Sequence, residues 1–99
     1  MPLISLVVPA YNEEEVLEAF HREVSEEIDR LPDDFEFVFV DDGSRDQTAS
    51  IMRKLAARDP RVRAVILSRN FGHEAAIEAG LRAARGDAVI VMDADLQDG

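Results

Sequence analysis

The 99-residue chain contains no cysteine. That excludes disulfides, thiolate nucleophiles and cysteine-ligated zinc. Basic residues are scarce too: 11 Lys and Arg stand against 21 Asp and Glu, a net charge of −10. Phosphate backbones are bound by basic patches, so nucleic acid is excluded as the main partner. No apolar run approaches the roughly 20 residues of a membrane-spanning helix. Residues Met1–Ser5 carry no basic segment of the kind that opens a secretory signal. A cytoplasmic, reducing compartment is the default expectation. There is no Gly-x-Gly-x-x-Gly and no Walker loop among the five glycines. Phosphates would therefore be held by a metal or by arginine, which weakens a dinucleotide-oxidoreductase reading.

What is present suits a folded domain. The chain is 46% apolar and 32% charged, too apolar for intrinsic disorder and long enough for one domain. Short β-branched runs alternate with helical patterns. Leu3–Val8, Phe35–Val40, Val62–Leu67 and Ala88–Met92 are nearly continuous in apolar residues. Strands buried on both faces of a parallel sheet read this way. Between them, 13–31 repeats Val16, Phe20, Val24, Ile28 and Leu31 at spacings of four and three. Asn12 with Glu15 resembles a capping box, as does Ser44 with Gln47 before a second helix over 46–58. In that helix Ile51, Met52, Leu55 and Ala56 face inward. A third helix over 74–85 offers Ile77 and Leu81 as its larger core residues, with Gly86 as a left-handed cap. The order βαβαβαβ predicts an α/β fold: a Rossmann-like, three-layer α/β/α arrangement with a parallel sheet ordered 3-2-1-4.

In such a sheet ligands bind beyond the carboxyl ends of the strands. All four strand-following loops should therefore gather at one edge. Asp93-Ala94-Asp95 ends the fourth strand. Residues two apart on an extended strand point the same way, so Asp93, Asp95 and Gln97 share a direction. Two carboxylates and an amide oxygen suit Mg²⁺ or Mn²⁺. The same aspartates could instead cap a following helix, but the apolar strand leading into them favours metal. Asp42 reads either as an acceptor for ribose or base, or as a cap of the second helix. Tyr11 could stack on a base or pack on the sheet edge. Glu13 could meet a nucleotide or favour a helix N-terminus. Arg69 suits a diphosphate through its forked donors, and His73 sits where a helix should begin. A plain surface role for His73 is equally open. The glutamates of the first helix read as a solvated face.

Four stretches carry a resemblance: Val7-Val8-Pro9-Ala10-Tyr11-Asn12-Glu13-Glu14, Phe39-Val40-Asp41-Asp42-Gly43-Ser44-Arg45-Asp46, Leu67-Ser68-Arg69-Asn70-Phe71-Gly72-His73 and Val91-Met92-Asp93-Ala94-Asp95-Leu96-Gln97-Asp98. From Leu3 onward the chain resembles inverting glycosyltransferases of the GT-A fold. It is most similar to the polyprenyl-phosphate group, which includes dolichyl-phosphate mannose synthase and bactoprenol glucosyltransferases. The resemblance implies that Pro9, Tyr11, Glu13, Val40, Asp42, Asp93 and Ala94 surround the nucleotide of a UDP- or GDP-sugar. It implies metal ligation by Asp93, Asp95 and Gln97, with Asp95 acting on the reaction through the metal. A polyprenyl phosphate would attack the anomeric carbon with inversion, at the cytoplasmic face of a membrane. No general base is assigned, and Arg69 and His73 stand as further candidates.

Members of that group are much longer, and Gly99 stands where they would have Pro. Residues 1–99 thus read as a single nucleotide-sugar-binding half-domain. Two other readings compete. Metal-dependent phosphohydrolases also place Asp-x-Asp after a parallel strand, but they want Thr or Val next, where Leu96-Gln97 stands. A non-catalytic nucleotide-binding or receiver-like module wants paired acids after the first strand, where Pro9-Ala10 stands. A half-domain should expose its fourth strand as a sheet edge, which invites pairing with a second chain. Light scattering at micromolar concentrations is therefore expected to find a species heavier than one chain. A monomer at every concentration overturns that expectation.

Overall fold

The computed structural model describes residues 2–95. Four strands alternate with three helices: β1 (Leu3–Ala10), α1 (Leu17–Ile28), β2 (Asp34–Asp41), α2 (Thr48–Arg58), β3 (Val62–Ile66), α3 (His73–Ala83) and β4 (Ala88–Val91). All pairings are parallel, and the order is β3-β2-β1-β4, as the βα alternation predicts. β1 lies between β2 and β4, with Val7 opposite both Val38 and Val91.

Alternation along β1 and β2 separates two cores. Leu6, Val8, Phe37 and Phe39 face α1 and α2, where Leu17, Phe20, Val24, Met52 and Leu55 meet them. Phe37 and Phe39 stack with centroids 5.5 Å apart, and Phe20 meets Phe39 edge-on. Val7, Val38 and Val40 face α3, whose Ala76 is fully buried. Helices therefore cover both faces, giving the three layers.

Local chemistry differs from the sequence reading at several points. Neither expected capping box forms. The α1 N-cap is Val16 and the α2 N-cap is Gln47, each without a side-chain cap. Asn12 has φ +53 and spends its side chain elsewhere, so a polar turn over 13–16 precedes α1. Leu31 lies beyond the end of α1 and is 52% exposed. Leu81 is 46% exposed, while the small residues Ala76 and Gly80 face the sheet. The cause is proximity. A Cβ on Gly80 would overlap Val7 Cγ1 and stand 3.1 Å from Val40 Cγ2. Gly86 is not left-handed. It is small because a Cβ there would lie 2.6 Å from Ser5 Oγ and 2.8 Å from Leu3 O.

A buried polar cluster sits at the amino ends of the strands. The Glu36 carboxylate accepts from Ser5 Oγ at 2.6 Å, Arg85 N at 2.7 Å and Arg63 Nη1 at 3.3 Å. Ser5 Oγ in turn accepts from Gly86 N. Despite burial, these bonds hold Glu36 below the usual carboxylate range. β4 is one of the two sheet edges, with Val89, Ile90 and Val91 exposed.

The close approach at Gly80 sets a sign. In an open helix Gly→Ala gains about 1 kcal/mol. Overpacking costs about 1–3 kcal/mol. Gly80→Ala is therefore expected to destabilise the chain, by about 1 kcal/mol, in urea unfolding; a gain in stability would show that α3 moves away freely.

Candidate functional site

The chain reverses its direction of travel across the sheet between β1 and β4. α1 and α2 carry it one way to β3. α3, on the opposite face, carries it back past β1. In open parallel sheets such a switch point leaves a crevice at the carboxyl ends of the strands. A cleft of about 730 Å³ lies there. Pro9, Tyr11 and Glu13 line it from the end of β1, and Asp42 from the end of β2. Asn70, Gly72, His73 and Ala76 come from the approach to α3 and its first turn. Asp93, Ala94 and Asp95 close it after β4.

Asp93 and Asp95 are exposed while Ala94 between them is 2% exposed and packs in the α1-side core. β4 ends at Val91, so the two carboxylates lie on the loop beyond the strand rather than on it, and both border the cleft. Glu13 stands close enough to feel them. Its carboxyl is pushed above the usual range by burial first, then by Asp95, Asp46 and Asp93. Among the described residues no three His, Asp or Glu side chains converge to coordinate one ion. Mg²⁺ is ordinarily held by one or two carboxylates plus substrate phosphates and water. The Asp93–Asp95 pair, with Glu13 adding negative charge, fits that donor set. Gln97 lies outside the described residues.

Asp42 is 4% exposed and its carboxylate is already engaged. It accepts from Phe71 N at 2.8 Å, Gly72 N at 3.1 Å and Asn70 Nδ2 at 3.0 Å. It does not cap α2. Instead it fixes the 70–72 turn that introduces α3, where Gly72 adopts φ +108. Gly43, at φ +72, makes room for that turn, because a Cβ there would overlap the Arg69–Asn70 peptide. His73 opens α3, is exposed and lines the cleft.

Two candidates lie apart from the cleft. Val40 is fully buried in the α3-side core, so only its backbone could approach a ligand. Arg69 stacks its guanidinium 4.4 Å from the Phe71 centroid and does not line the cleft. Conversely, Asn70, Ala10 and Ala76 line it without having been singled out. Asn70 stands inside a motif already conspicuous in the sequence. Ala10 and Ala76 carry no chemical signal to read.

Residues 5–98 match the family described as glycosyl transferase family 2. The chain is 52% identical over 95 residues to a bactoprenol glucosyl transferase of Shigella phage SfV, covering 96% of this chain and 31% of the relative. It is 50% identical over 96 residues to an undecaprenyl-phosphate 4-deoxy-4-formamido-L-arabinose transferase of Pseudomonas fluorescens, covering 96% and 28%. Its fold superposes, with a TM-score of 0.80 and 32% identity, on the mannosyltransferase PcManGT of Pyrobaculum calidifontis in complex with GDP-Man and Mn²⁺. That match covers 95% of this chain and 28% of the other. The chain thus spans less than a third of the length of these proteins.

Glu13 yields a prediction with two signs. Its folded-state pKa is raised, so protonation favours the fold and ionisation costs stability as pH rises through that value. Glu13→Gln removes the repulsion. It is expected to raise metal-free stability at pH 7 by on the order of 0.5 kcal/mol while weakening Mn²⁺ binding. Thermal unfolding and Mn²⁺ titration check the two signs separately.

Proposed function

The chain belongs to glycosyl transferase family 2, and on that footing we propose that it supplies the donor-nucleotide and metal site for sugar transfer from a UDP- or GDP-sugar to a polyprenyl phosphate. The observation that carries this reading is the cleft itself. It joins one aromatic ring, Tyr11, to the carboxylates Glu13, Asp93 and Asp95 at the switch point of a parallel sheet. Tyr11 is 41% exposed and offers its ring to a base. Pro9 and the backbone of Val40 and Ala94 would flank the nucleotide. Asp42 would serve it by shaping the wall.

Asp93 and Asp95 would hold Mg²⁺ or Mn²⁺, with Gln97 as the third ligand that the resemblance implies. Bound there, the cation would offset the charge that develops on the departing nucleoside diphosphate. A phosphate monoester is already anionic at neutral pH, so a strong general base is not required of this chain. His73 borders the cleft at an α-helix N-terminus, and there it would meet an anionic group. Arg69 would reach the site only by leaving Phe71. The relatives named for bactoprenol and undecaprenyl phosphate support a polyprenyl phosphate acceptor. Donor and acceptor would meet at the cytoplasmic face of a membrane.

Thermal unfolding with UDP or GDP tests the donor site, each with Mn²⁺, with Mn²⁺ and EDTA, and without metal. A ligand at 100 times its dissociation constant adds about 2.7 kcal/mol. In a domain this small that raises Tm by about 10–20 °C. A rise with one nucleotide, abolished by EDTA and by Asp93→Asn, is the expected result. The absence of any rise in a folded chain overturns the reading.

A further inference from the structure

The turns after β1 and β2 are tied together by backbone and side-chain bonds that run in both directions. Asn12 N donates to Ser44 Oγ at 2.8 Å, and Arg45 N donates to Asn12 Oδ1 at 2.9 Å. Glu13 N donates to Thr48 Oγ1 at 2.9 Å. Glu14 N donates to Asp46 Oδ2 at 3.3 Å, and Gln47 N donates to Glu14 Oε1 at 2.9 Å. Thr48 is the hub. It is fully buried, and its hydroxyl donates to Asp46 Oδ1 at 2.6 Å while accepting from Glu13. Asp46 Oδ1 also accepts from Thr48 N.

This clasp acts on a stretch of backbone outside regular secondary structure. Asn12 sits at φ +53, in the left-handed region that Asn tolerates better than other non-glycine residues but that is still sparsely populated. The N–H groups of residues 12, 13 and 14 lie outside any helix or strand, and each finds its acceptor on the 44–48 segment. Tyr11 and Glu13, on either side of Asn12, line the cleft. Ser44, Asp46 and Thr48 do not.

We infer that Ser44, Asp46 and Thr48 are positioning residues that set the conformation of Tyr11–Glu13, and thereby the nucleotide-facing wall of the cleft. The functional part of this inference rests on the donor-site reading above; the conformational part does not. Thr48→Val keeps the shape of the side chain and removes both hydroxyl bonds. Thr48→Ser keeps them.

Tyr11 makes the test independent of any ligand. The chain has one tyrosine and no tryptophan, so its intrinsic fluorescence reports Tyr11 alone. In Thr48→Val, acrylamide quenching of Tyr11 is expected to rise. Mn²⁺-dependent UDP or GDP binding is expected to weaken about tenfold, since Glu13 N loses its acceptor and the Asp46 carboxylate loses a donor. Thr48→Ser should restore both. Should Thr48→Val fail to fold, the milder Ser44→Ala, which frees Asn12 N alone, is read in the same way with smaller changes. Unchanged quenching and unchanged binding in a variant with lowered Tm overturn the inference and leave Thr48 a packing residue. Freed Tyr11 in a chain whose wild type binds neither nucleotide upholds the clasp and brings down the donor-site reading instead.

Discussion

β1 is hydrogen-bonded on both edges, to β2 and to β4, in one parallel register. Parallel pairing brings the carboxyl ends of all strands to the same side, and β1's central place means two neighbouring loops must flank its own. The reversal of connection beside β1 then opens a crevice there, because the helices on its two sides lie on opposite faces. Every chemical group in the candidate site comes from that geometry. Residues 9–13 end and follow β1, residue 42 follows β2, residues 70–76 lead from β3 into α3, and residues 93–95 follow β4. None of them is near another in sequence.

The two ends of the sheet solve their polar problem differently. At the amino ends Glu36 is satisfied by Ser5, Arg63 and the Arg85 amide, closing the α3–β4 connection onto the sheet. At the carboxyl ends the acids divide by depth. Asp42 and Asp46 are spent on fixing backbone turns. Asp93 and Asp95 stand exposed, and Glu13 carries a raised pKa. Acids that fix backbone turns and acids exposed at the cleft thus lie close together at the same end of the sheet.

The strands, their order and the loops that face one another were legible from the sequence, because buried parallel strands leave long β-branched runs and the switch point follows from the βα order. That Asp93 and Asp95 would border the crevice was legible from their place after the fourth apolar run, although both lie beyond the strand, which ends at Val91. The capping residues were not. Asn12 and Ser44 have the right chemistry for caps, yet here they bond to each other's turns, an outcome fixed by two loops meeting in space. The core face of α3 was misread for a related reason. Periodicity favoured Leu81, whereas the closeness of Val7 and Val40 admits only Ala76 and Gly80. Val40 and Asp42 show the same limit on the site: a motif marks the position, but only packing tells whether the side chain faces the cleft, the core or a neighbouring loop.

The methyl group of Ala94 lies in the core between two carboxylates that face the cleft. Anchored in that way, the strand end cannot rotate without either opening a void or forcing a clash in the interior. The aim of Asp93 and Asp95 is therefore mechanically coupled to the packing of the core that Ala94 shares with Phe20 and Phe39. Drift in the volumes of those interior side chains, however conservative each step, would be felt as a change in where the two charges point.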